Sequence, residues 1–105
     1  MEQPNLDYII KLSGNDEVVK QKFITTLKNE LPFEIEAYFV SLRSNELYKA
    51  AECVHKLKHK IGILGLEAGY NVAEAYEEEL KNNQIKIQTE FDTILYSMQS
   101  FVESL

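Results

Sequence analysis

The chain has 105 residues, 45% of them apolar and 27% charged, with a net charge of −6. That balance is too apolar for a disordered chain and suits a single domain, 1–105, built round one core. The acidic surplus argues against a nucleic-acid partner, and no apolar run approaches the roughly 20 residues a membrane span needs.

Cys53 stands alone, so no internal disulfide is open to the chain. It falls mid-helix by pattern and reads as a buried, inert thiol. No basic segment followed by an apolar one opens the sequence, which points to a cytoplasmic protein.

From Asn5 to Lys11, the residues Leu6, Ile9 and Ile10 recur at helical spacing, and Ser13-Gly14 ends that short helix. Asn15 is expected to cap a second helix, with Asp16 and Glu17 in its first turn at the positive end of the helix dipole. Val19, Phe23, Leu27 and Leu31 then form a buried row, which resumes after Pro32 with Ile35, Phe39 and Leu42. Because Pro32 removes a backbone donor and disfavours helical geometry before it, the segment is either one kinked helix or two short ones.

Ser44-Asn45 reads as a turn and N-cap. Leu47, Ala51, Val54, Leu57, Ile61 and Leu64 follow as the buried row of a third helix. Gly65 is the expected turn, while Gly62 and Gly69 either let two helices approach or leave room for a partner. A fourth helix is predicted over Glu67 to Lys81, with Leu66, Ala73, Tyr76 and Leu80 inward and Glu74, Glu77 and Glu78 on a solvated acidic face. Asn82-Asn83 turns the chain into a last helix whose Ile87, Phe91, Ile94, Met98, Phe101 and Leu105 read as core.

No strand-like alternation appears and every loop is short, which makes successive helices antiparallel neighbours. The predicted fold is all-α: an up-down antiparallel four-helix bundle with a short extra N-terminal helix.

One face of the third helix carries the chemistry. At 100° per residue His55 falls beside the buried row, not in it. Tyr48, Glu52, His59 and Gly62 lie above and below it, and Lys58 is one turn on. Lys56, Lys58 and Lys60 are expected to make a local positive patch on an acidic protein. Neutral imidazole is a nucleophile near pH 7, and ammonium groups nearby favour that form and then stabilise an anion held on the ring.

His55-Lys56-Leu57-Lys58 followed by Leu64-Gly65 resembles the histidine phosphotransfer (HPt) family pattern, His-x-Leu-Lys-Gly with Leu-Gly at the ninth and tenth residues after the histidine. Leu12 to Asp16 and the acidic fourth helix are similar to that family too, so the resemblance spans nearly the whole chain.

The resemblance implies a phosphorelay carrier that accepts a phosphoryl group from a receiver-domain aspartyl phosphate and passes it to another receiver aspartate. It implies His55 as phosphoacceptor, Lys58 as the cation that stabilises the phosphoryl group, and Glu52, Lys56, His59 and Gly62 as the border a partner meets. It also implies receiver domains of response regulators or hybrid histidine kinases as partners. The protein itself would need no cofactor or metal, since Mg2+ belongs to the receiver. One filled core and the −6 charge favour a monomer. The sequence departs from the family in having His59 where glycine is usual and Lys60 where a small residue is common.

Three other readings compete. His55 and His59, four residues apart, with Glu52 nearby, have metal-ligand spacing, but the flanking lysines repel a dication. A sensor-kinase dimerisation helix would carry an acidic residue after its histidine, where this chain has Lys56, and no Gly-rich nucleotide loop provides ATP-dependent kinase activity. A helical adaptor would need an exposed apolar groove and would bind its partner with His55 replaced.

Overall fold

The computed structural model describes residues 2–105 and is all-helical over them. Five helices follow one another: α1 (Asp7–Ser13), α2 (Glu17–Arg43), α3 (Leu47–Ile63), α4 (Glu67–Lys81) and α5 (Gln88–Glu103). No helix among the described residues is long and apolar enough to cross a membrane.

α2 is one continuous helix of 27 residues. Pro32 lies inside it without ending it, because the ring sits on the exposed face, where the carbonyl deprived of its partner is open to solvent. At 1.5 Å per residue α2 is about 40 Å long, and it sets the long axis of a molecule measuring 45 × 24 × 19 Å. Its cap is Asp16, not Asn15: the Asp16 carboxylate accepts from the backbone N–H of Val18 at 2.9 Å and of Val19 at 3.3 Å. Nor does Asn45 cap α3. It turns the chain at φ 55°, and Glu46 holds the cap position without a side-chain bond.

The core draws Leu27, Leu31, Ile35 and Tyr38 from α2, Val54, Leu57 and Ile61 from α3, Ala73, Tyr76 and Leu80 from α4, and Phe91, Leu95 and Met98 from α5. The predicted rows of α3 and α4 are buried as expected, apart from a half-exposed Leu47. In α2, however, Ile24 and Tyr38 are buried while Phe23 and Phe39 lie at the margin; in α5, Leu95 and Val102 replace Ile94 and Phe101. In α2 a row taken every four residues drifts about 40° per step, so the buried line must also step by three; in α5 the expected row already mixes the two steps, and the buried residues Phe91, Leu95, Met98 and Val102 take them in the other order.

Side-chain pairs place the helices against one another. Lys60 of α3 meets Glu34 of α2, and Cys53, half-buried, lies 3.9 Å from Ser41. His55 of α3 meets Glu77 of α4, while a Cβ on Gly62 would touch Tyr70. Tyr76 of α4 packs against Phe91 of α5 with ring centroids 5.0 Å apart and planes tilted at 46°, and Tyr38 of α2 bonds Asp92 of α5. Along α2–α3 and α3–α4, residue numbers fall on one helix as they rise on the other. α1 packs on α2, and the Asn5 N–H, just before α1, donates to the Leu64 carbonyl at 2.8 Å. That strap crosses the α3–α4 turn at Gly65, whose φ is +79° and where a Cβ would sit 2.6 Å from the Asn5 amide nitrogen.

Candidate functional site

His55 lies on the outer face of α3 with 54% of its side chain exposed. Its Nδ1 is 3.2 Å from each carboxylate oxygen of Glu77 on α4. A carboxylate only accepts, so Nδ1 carries the ring proton and donates it. In the neutral ring the lone pair is then on Nε2, which has no hydrogen-bond partner among the described residues.

Glu77 corrects the expectation of a uniformly solvated acidic face. Glu74 and Glu78 are exposed, but Glu77 is only 12% exposed. It follows Ala73 by four residues, which sets it about 40° off the buried line, on the flank that faces α3. There it accepts from His55 and from Lys58 at 3.1 Å and forms an ion pair with Lys81 at 3.5 Å. Burial pushes its carboxyl up, but the hydrogen bonds from Lys58 and His55 and their charge outweigh that and hold it below the usual range. Burial likewise pulls Lys58 down, and the Glu77 bond and charge more than reverse this, leaving the ammonium raised.

Lys58 itself is 12% exposed and sits 5.6 Å from the centroid of the Tyr70 ring, so it is fixed between a carboxylate and an aromatic face. The predicted patch of three lysines is not a patch. Lys60, five residues and about 140° beyond His55, turns to α2. There it bonds Glu34 at 2.7 and 3.0 Å and Glu30 at 3.0 Å. Burial draws its ammonium down, and the two glutamates raise it more. Lys56 remains exposed.

His59 is exposed and meets His55 edge to face, with ring centroids 5.2 Å apart and planes at 86°. Glu52, Lys56 and Tyr48 border a shallow hollow whose wall includes His55, Glu77 and Lys81. Gly62 is exposed, and a Cβ there would make ordinary contact with Tyr70 at 3.5 Å, so α3–α4 packing does not demand glycine at that position. Gly69 is the tight one: a Cβ would stand 3.2 Å from Leu66 and 3.3 Å from Ile61.

His55, Lys58, His59, Lys56, Glu52 and Gly62 therefore do share one region, while Lys60 leaves it. The sequence reading missed Glu77, Tyr70 and Lys81. The Glu77/Lys81 spacing of four was visible, but a partner for His55 22 residues away was not. Among the described residues, no group of three or more His, Cys, Asp or Glu side chains is placed to hold a metal ion.

The arrangement presents a solvent-facing imidazole nitrogen in a fixed tautomer, backed by an ionised carboxylate. Comparison of the chain with family models, curated proteins and solved structures finds no match in any of the three.

Proposed function

We propose that the protein is a phosphorelay carrier, with His55 accepting a phosphoryl group from an aspartyl phosphate on a receiver domain and returning it to another. The observation that carries this reading is the Glu77 bond to His55 Nδ1, which leaves Nε2 as the exposed nucleophile. Nε2 attacks phosphorus in line. The N–P bond forms as the P–O bond breaks, and the aspartate carboxylate leaves with the electron pair. The ring gains positive charge in that step, and the ionised Glu77 stabilises it. Lys58 keeps Glu77 ionised and oriented.

On this reading α2 to α5 form an up-down antiparallel four-helix bundle, with α1 as the extra helix at one end, acting as a cytoplasmic monomer. The partner receiver brings the Mg2+.

The test is a panel of phosphorylated receivers with Mg2+, mixed with wild type, His55→Gln and His59→Gln. Acid-labile, base-stable label is expected on the wild type and on His59→Gln, and absent from His55→Gln. No label from any receiver that loads other carriers would sink the reading. Binding without transfer, unchanged in His55→Gln, would point to an adaptor.

A further inference from the structure

The cations beside His55 are distributed unevenly about its ring. Lys58 and the Nδ1 edge share the Glu77 carboxylate, so Lys58 stands on the α4 side. Nε2 has no hydrogen-bond partner among the described residues. Lys60 is held on α2 by Glu34 and Glu30. His59 lies about 40° further round the cylinder from α4 and about 6 Å along the axis. Its ring meets the His55 ring edge to face with centroids 5.2 Å apart, within reach of a group carried on that ring. Lys56 is exposed but stands about 100° round from His55, on the shoulder toward α2.

We propose that His59 is a second ring of the site: it donates an N–H to an oxygen of the phosphoryl group carried on His55 Nε2. It thereby sets how firmly His55 holds that group against a receiver aspartate. This rests on the carrier reading above. The N–P bond forms and the aspartyl P–O bond breaks as before; His59 keeps its proton throughout and contributes only the hydrogen bond. Lys58 and Lys60 act instead on Glu77 and on the α2 glutamates.

The test starts without any receiver. Phosphoramidate donates a phosphoryl group to histidine and releases ammonia, and it is used to load wild type, His59→Phe, His59→Gln and Lys56→Met. Long-range 1H–15N spectra then read the ring nitrogens of His59 before and after loading. One His59 nitrogen is expected to move on loading of His55, as its N–H takes up the new bond. In a second measurement, label is allowed to equilibrate with a receiver domain.

His59→Phe is expected to shift that equilibrium toward the receiver about three- to tenfold, the worth of one ordinary hydrogen bond. His59→Gln, which keeps an N–H donor, recovers part of the loss, and Lys56→Met changes less than His59→Phe. Since His59 is exposed, unchanged helical circular dichroism certifies the fold of each variant. Unmoved His59 nitrogens, or a wild-type equilibrium in His59→Phe, would overturn the proposal, as would a His55 that takes no phosphoryl group from phosphoramidate. If His55 loads chemically and the His59 signature appears, but no receiver exchanges label, the inference stands and the carrier reading fails.

Discussion

At the scale of the residue, Glu77 matters most. It fixes the tautomer of His55 and neutralises Lys58 with the same carboxylate. Glu77→Gln keeps the shape and an acceptor oxygen but removes the charge. It is expected to slow phosphoryl uptake about tenfold, at the lower end of what a charged hydrogen bond contributes, whereas His55→Gln abolishes uptake; initial rates of labelling check this. The pH dependence has a definite sign. Glu77 is held below its ordinary value of 4.5, so the stability it contributes is whole above that value and is lost as pH falls through the lower folded one. Lys58 is raised above 10.5, so its contribution is whole below that value and is lost as pH rises through the higher folded one. Melting temperatures of wild type and Glu77→Gln should therefore differ by a constant amount at neutral pH and converge in acid. A gap that persists in acid would mean the bond is not ionic.

At the scale of the element, the two exceptional glycines of the α3–α4 pair do opposite things. Gly62→Ala should stabilise the protein by roughly 0.5–1 kcal/mol, because α3 gains helix propensity and the new methyl makes only ordinary contact with Tyr70. The same methyl stands on the exposed face near His55, so receiver exchange should slow. Gly69→Ala should destabilise, since its methyl is pressed between Leu66 and Ile61. Urea unfolding of both variants decides it, and equal signs would refute the distinction. The bounds of α4 were legible in the sequence because Gly65 and Asn82-Asn83 punctuate them. The caps of α2 and α3 were less so. Asn15, Asp16, Asn45 and Glu46 are all polar, and which one caps depends on backbone angles that a residue type does not state.

At the scale of the molecule, a buried polar chain joins three helices. Tyr38 donates to Asp92 at 2.8 Å, Tyr76 donates to the Tyr38 oxygen at 2.7 Å, and Gln88 reaches the far oxygen of Asp92. Removing the middle of that chain orphans the Tyr76 hydroxyl. Tyr38→Phe is therefore expected to cost about 1–3 kcal/mol and more than Tyr76→Phe, which leaves the Tyr38–Asp92 bond intact; denaturant midpoints measure the order. Burial, and then the bonds to Tyr76 and Asp92, push Tyr38 far up. Tyr76 is pushed up to about 12 by burial, against the lowering bond from Tyr38. Both phenols must stay neutral in the fold while the unfolded chain ionises near pH 10. Stability is thus expected to fall as pH rises above about 10, and phenolate absorbance of these two should appear only with loss of helix.

The sequence by itself determined that the chain is helical, where its turns fall, and that His55 stands beside the buried row of α3, not within it. Each of these follows from spacing along a single helix, which 100° steps and turn residues specify locally. Only the tertiary structure decided what His55 meets. Glu77, Lys58 and Lys81 converge because α4 packs against α3, and Lys60 leaves because α2 offers Glu34 and Glu30 on the other side. Charges that look alike along a helix are sorted by the neighbour each one faces, and that neighbour lies 19 to 30 residues away for Lys58 and Lys60.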